Sequence, residues 1–95
     1  MRIDWDENKN TLNKANHKLS FETAQHVFDD PYAMSIQDRH VEGEERWQTL
    51  GLIDGVVVIL VAHTYKEEGA SEVIRIISAR KATKRERQCY EQNRR

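Results

Sequence analysis

The stretch RWQTLGLIDGVVVILVAHTY, residues 46–65, reads as two strands joined by a two-residue turn. Asp54-Gly55 separates two apolar runs, Arg46 to Ile53 and Val56 to Tyr65, and Gly supplies the positive φ that a tight hairpin requires. The run from Val56 to Ala62 is apolar at every position. A strand with one face in water alternates, so this one predicts cover on both faces and a central place in its sheet. Upstream, Tyr32, Met34 and Ile36 alternate with Ala33 and Ser35, the pattern of a half-buried strand. Gln37 to Glu45 reads as an acidic loop, Lys66 to Ser71 as a longer solvated turn, and Glu72 to Ala79 as the last strand. These four strands predict an antiparallel meander.

Arg2-Ile3-Asp4-Trp5 is a short opening strand. Asp6 is placed to cap a polar helix running to about Asn16, with Leu12 and Ala15 as its sparse apolar stripe. Ser20 caps a second helix, Leu19 can staple onto Ala24, and Phe21, Ala24 and Phe28 share one face. Pro31 disfavours a helical Asp30 and ends that helix. Thr83 and Glu86 form a capping box that opens a terminal helix, whose only apolar contributions are Cys89 and Tyr90. That helix is too polar to be held by packing alone. The elements sum to one α+β domain over residues 1–95, with helices packed on one face of a mainly antiparallel sheet and a C-terminal helix closing the chain.

With 95 residues, 38% of them hydrophobic and 33% charged, the core must be thin. The net charge of −1 hides an asymmetry. From Val73 onward eight Lys or Arg face two Glu, a balance of +6, while the residues before carry seven Lys or Arg against 14 Asp or Glu, a balance of −7. A concentrated basic surface on a rigid sheet suits a polyanion. The longest apolar run is too short to span a bilayer and the N-terminus lacks the apolar stretch of a signal peptide, so a cytoplasmic protein without a membrane partner is expected. Cys89 is the lone cysteine and has no internal disulfide partner. No His/Cys cluster has zinc-site spacing and no Gly-rich phosphate loop occurs, so no metal or cofactor is expected.

Asp4-Trp5-Asp6 with Lys9, Asn13 and His17, Ser20-Phe21-Glu22, and Val27-Phe28-Asp29-Asp30-Pro31 follow one another in a distinctive order. Gly43-Glu44-Glu45-Arg46, Gly51-Leu52, His63-Thr64 and the run from Ile74 to Arg87 ending at Tyr90 continue it. In order and spacing, over essentially the whole chain, the sequence resembles the BrnT family of bacterial toxins from BrnT/BrnA type II toxin–antitoxin systems. The resemblance implies a RelE-like fold and ribonuclease activity that arrests translation. It also implies neutralisation by a BrnA-type antitoxin with a DNA-binding domain of the ribbon-helix-helix kind, so that DNA is met only through the antitoxin. Two toxins bridged by an antitoxin dimer is the expected hetero-oligomer. The family usually carries Gly after the first-helix histidine, where this chain has Lys18; if the position needs a positive φ, Lys18 is mildly strained, or the helix terminates differently in this chain.

Metal-independent RNA cleavage needs a base for the 2′-OH, an acid for the leaving oxygen and cations for the charge building on the phosphate. Arg75 lies inside an apolar strand, so its guanidinium either faces solvent or pairs with a carboxylate such as Glu45 or Glu72. Arg80 follows the strand end, ahead of the helix opened by Thr83, and is either an anion ligand or an ordinary solvated charge. Arg46 is a local salt-bridge partner of the preceding glutamates or a bidentate phosphate clamp beside the other two. His63, ending the buried strand, is a hydrogen-bonded structural residue or the proton carrier. Glu45 is the second choice for the base. His17 and Ser78 read as a helix-end cap and a turn residue. Lys81, Lys84, Arg85 and Arg87 are candidates for RNA contact or a solvated face, and Tyr65 for base stacking. Arg46, Arg75 and Arg80 as phosphate ligands with His63 as acid or base define an endoribonuclease. The competing reading is a non-catalytic RelE-like RNA- or protein-binding module.

Overall fold

The computed structural model describes residues 1–41 and 43–94, and the side chains of these outside 39–41. Its elements in chain order are β1 (Arg2–Trp5), α1 (Glu7–His17), α2 (Phe21–Ala24), a 3-10 helix (Gln25–Asp29), β2 (Met34–Val41), β3 (Glu44–Ile53), β4 (Val57–Glu68), β5 (Ser71–Lys81) and α3 (Lys84–Asn93). The strands form one sheet in the order β1-β5-β4-β3-β2, with β1 parallel to β5 and every other pair antiparallel. β4 is central, as its unbroken apolar run predicted. Asp54 and Gly55 both take positive φ, 53° and 67°, and the Val56 N–H donates to the Ile53 carbonyl at 3.1 Å. This turn matches the right-handed twist of the strands it joins.

The strands run further than their apolar cores. The expected acidic loop over 37–45 is mostly ladder, since β2 continues to Val41 and β3 begins at Glu44; Glu42 lies outside the described residues. The expected turn over 66–71 shrinks in the same way, because β4 reaches Glu68 and β5 starts at Ser71. Backbone pairing carries polar residues along once a hairpin is nucleated.

Successive β4 side chains serve two cores. Ile59 and Val61 pack with Phe21, Ala24, Val27, Ile53, Ile76 and Ala79 beneath α2 and the 3-10 helix. Val58 and Leu60 pack with Leu50 and with Tyr90 of α3 on the opposite face. Each large apolar side chain so buried contributes about 1.5–3 kcal/mol. The helices therefore do not share one face, as expected from sequence; α3 covers the other. At Gly51 of β3 the Val27 side chain lies where a Cβ would stand, so the 3-10 helix rests directly on the strand backbone.

Polar clasps hold α3 where its sequence offers little packing. Thr83 and Glu86 complete the capping box, and Glu86 takes both arms of the Arg80 guanidinium at 2.8 and 3.0 Å. At the other end the Tyr90 hydroxyl donates to Asp30, which also accepts the N–H groups of Leu52 and Tyr32. Burial and then Asp30 push the Tyr90 hydroxyl up to about 12. Burial alone would raise Asp30, but its three donors outweigh that and hold it low.

α1 also departs from its expected packing. Leu12 is 62% exposed and Ala15 is exposed, whereas Asn10 and Asn13 are buried. The Asn13 amide donates to the Ala79 carbonyl and accepts the Ala79 N–H, at 2.8 and 3.1 Å. β1 pairs β5 only from Val73 to Ile76, so Asn13 completes the β5 edge where β1 has ended, as a neighbouring strand would. Asn10 likewise accepts the Phe21 N–H at 2.8 Å. Lys18 closes α1 in the left-handed conformation, φ 58° and ψ 31°, the strain that replacing Gly implied.

Candidate active site

Two β-bulges decide which side chains meet. Between Ala62↔Ser78 and His63↔Ile76 the β5 strand carries one extra residue, Ile77. Plain alternation would put Arg75 and Arg80, five residues apart, on opposite faces. The bulge shifts the phase so that Ile76 and Ala79 both face the inner core, while Arg75 and Arg80, opposite Thr64 and Leu60, both face the α3 side. β2 has its own irregularity between Gln37 and Arg39.

Immediately past the bulges one row crosses the sheet: Arg46 of β3, Thr64 of β4, Arg75 of β5 and Asp4 of β1 are consecutive register partners. The backbone of Arg39 on β2 pairs with Arg46. Arg75 donates to Asp4 at 3.2 Å, with its side chain 51% exposed. Its partner is thus neither Glu45 nor Glu72, and among the described residues this one contact leaves most of the guanidinium fork unused. Arg2 lies 3.9 Å from the other Asp4 oxygen and 3.2 Å from Glu68. Arg2, Asp4 and Arg75 border a cleft of about 460 Å³, also lined by Glu44, Glu45, Thr64, Tyr65 and Lys66. Arg46 is half-buried, and its Nε finds no hydrogen-bond partner among the described residues.

His63 is elsewhere. It is 4% exposed and faces the inner core, edge-on to Phe28 with ring centroids 5.0 Å apart. Its Nδ1 lies 3.1 Å from the Thr64 carbonyl, which can only accept, so Nδ1 carries the proton. Nε2 therefore accepts from Thr49 at 2.7 Å, and Thr49 in turn bonds Ser35 at 2.7 Å. Burial drives the His63 pKa down, against a smaller upward effect from the Thr64 carbonyl. The expectation of a proton carrier beside the arginines is corrected: alternation points this ring through the sheet, away from Arg46 and Arg75.

Arg80 is corrected as well. On the expected face, its fork is filled by Glu86, which is drawn down to about 2 chiefly by that hydrogen bond. It clamps α3 instead of standing free for a phosphate. Lys81 is opposite Ile59 and so belongs to the inner face. Lys84 and Arg87 line a separate cleft against the β3–β4 hairpin, while Arg85 borders an apolar groove with Met34, Ile36 and Cys89. Of the expected residues, Glu45, Arg75 and Tyr65 border the one cleft and Arg46 stands in the adjoining row. Sequence reasoning missed Arg2, Asp4, Glu44, Thr64 and Lys66, whose convergence depends on the parallel β1–β5 register. Among the described residues no three His, Cys, Asp or Glu side chains are grouped to hold a metal ion.

Residues 5–86 match the family described as ribonuclease toxin, BrnT, of type II toxin-antitoxin system. The chain belongs to the BrnT family. Its fold, a five-stranded mixed sheet with three α-helices, is similar to the crystal structure of the Brucella abortus ribonuclease toxin BrnT, at 27% identity and a TM-score of 0.66. That match covers 88% of this chain and 99% of the Brucella chain. No match was found among curated proteins. Among the described residues no helix of this BrnT-family chain is long and apolar enough to cross a membrane.

Proposed function

We propose that this BrnT-family chain, residues 1–95 acting as one unit, is a metal-independent endoribonuclease whose active site is the Arg75 cleft. One observation carries the assignment: a half-exposed guanidinium, steadied among the described residues by one bond to Asp4, faces a cleft that also holds Glu45 and Lys66. In the reaction the Glu45 carboxylate takes the proton of a ribose 2′-OH, and that oxygen attacks the adjacent phosphorus. The bond from phosphorus to the 5′ oxygen breaks and Lys66 protonates the departing oxygen, leaving a 2′,3′-cyclic phosphate and a 5′-OH. Arg75 and Arg46 donate to the phosphoryl oxygens as charge accumulates on them. Tyr65, two residues beyond His63, turns its ring to the other face of β4, so it takes no stacking role in this cleft.

The biological setting is a RelE-like toxin that stops translation by cutting RNA in the cytoplasm. A BrnA-type ribbon-helix-helix antitoxin holds it in a hetero-oligomer, two toxins bridged by an antitoxin dimer, and brings DNA into the complex. The removal of His63 from the cleft favours a second reading, a non-catalytic RelE-like RNA- or protein-binding module. Incubating purified chain with labelled RNA in excess EDTA separates the two. Fragments ending in 2′,3′-cyclic phosphate, together with loss of protein-synthesis labelling on induced expression, are expected. Intact RNA and normal growth at confirmed soluble expression would reject the nuclease.

A further inference from the structure

We infer that the cleft between α3 and the β3–β4 hairpin is a second RNA-binding site, which grips the phosphodiester backbone of the substrate away from the bond that is cut. This rests on the nuclease reading for the identity of the polyanion alone. The cleft is about 530 Å³, with Lys84, Arg87 and Arg94 on its α3 wall. Their spacing, three and then seven residues, places them on one flank of the helix over about 15 Å of its length. Among the described residues none of the three is in an ion pair. Glu91 is the one carboxylate on the described walls. The Arg75 cleft is different: Arg2, Lys66 and Arg75 are balanced there by Asp4, Glu44 and Glu45. The molecule therefore separates a charge-balanced cleft suited to proton transfer from a net basic one, three cations facing Glu91 on the described walls, suited to holding charge.

The occupant follows from the walls. Among the described residues Val56, 83% exposed, is the one exposed large apolar residue lining this cleft, too little for a protein interface, which needs a cluster of buried apolar anchors. A phosphate backbone needs cations alone. Beside them the Arg94 guanidinium lies over the Tyr32 ring at 5.4 Å from its centroid, and Tyr32 is 47% exposed. That stack presents a flat face on which a base of the same strand can rest.

Fluorescence anisotropy with an uncleavable 2′-O-methyl single strand, titrated at several salt concentrations, tests the site without requiring chemistry. Lys84→Gln/Arg87→Gln is expected to weaken binding about tenfold and to lower the slope of log affinity against log salt by about 1.4, two phosphate contacts' worth. Adding Arg94→Gln deepens both effects. Arg85→Gln, on the other flank of α3, leaves them unchanged. On ordinary RNA the double variant raises KM for a long substrate and keeps kcat on a dinucleotide. Wild-type affinity and slope in the double variant, folded by circular dichroism, would overturn the site. So would a variant that keeps RNA binding and loses only a poly-glutamate peptide, which would make the cleft a protein-docking surface. A wild type that binds the uncleavable strand but never cuts ordinary RNA would refute the nuclease reading and leave this one standing.

Discussion

His63 and Arg75 sit on neighbouring strands within one register step of each other, yet they point through opposite faces of the sheet. The histidine has spent its bonding capacity: both ring nitrogens are engaged, Phe28 closes over it, and almost no surface is left. Among the described residues the arginine makes one bond, to Asp4, and it keeps half its surface in the cleft. Residue type favoured the histidine for chemistry, because its pKa is near neutral. Bonding capacity favours the arginine, since a group can act on a substrate only with donors not already committed inside the protein.

The sharpest way to break this contrast is Arg75→Lys. It keeps the charge but loses the planar fork, and cleavage should fall by about 100-fold or more while KM moves less. The melting temperature should hardly change, because the Asp4 pair is half exposed and worth about 0–1 kcal/mol. Steady-state cleavage beside a thermal melt reads both, and an unchanged rate would remove Arg75 from catalysis.

His63→Leu should do the converse. Losing the acceptor of the Thr49 hydroxyl inside a packed core costs about 2 kcal/mol, while the folded variant cuts RNA normally. The sign of the pH effect sharpens the contrast. The folded pKa lies below the unfolded 6.5, so the stabilisation from neutral His63 is complete above about 6.5 and drains away as pH falls toward the folded value. Chemical denaturation between pH 8 and 5 should show this slope in the wild type and a flatter one in the variant.

Much of the architecture was legible. Asp54-Gly55 fixed the hairpin, the unbroken apolar run fixed the central strand, and Thr83-x-x-Glu86 fixed the start of α3. The faces were not legible, because they depend on Ile77, a β-branched residue indistinguishable from its neighbours that is absorbed as a bulge. Counting by twos through such a residue gives the wrong side for everything beyond it. The docking of α1 was hidden for another reason: Asn13 reads as a surface residue unless a free strand edge is known to await it. Glu45 and Arg75 do border one cleft, but the β1 side of that cleft needed a parallel pairing across some seventy residues.

On the α3 side, Glu86 gives a smaller test of how far a polar clasp replaces packing. Its folded pKa of about 2 lies below the usual 4.5, so its contribution is present above pH 4.5 and is lost as pH falls toward 2. Discounting for the partly exposed Arg80, the wild type should exceed Glu86→Gln by about 1–2 kcal/mol at pH 6, with the gap closing near pH 2. Parallel urea titrations would show it, and a gap independent of pH would mean that the clasp is not ionic. The smallest effect is expected at the end of α1. Lys18→Gly relieves the left-handed backbone and should raise stability by about 0.5–1 kcal/mol with no change in cleavage.

The parallel pairing of β1 with β5 also sets a clock. Asp4 is made 71 positions ahead of the arginine it steadies. At about 5–20 residues per second, roughly 4–14 s of synthesis separate the two halves of the cleft. A nascent chain interrupted anywhere before β5 lacks its central guanidinium and the strand that receives β1. During translation the two halves of the cleft therefore exist apart, and they can join only once β5 has been made.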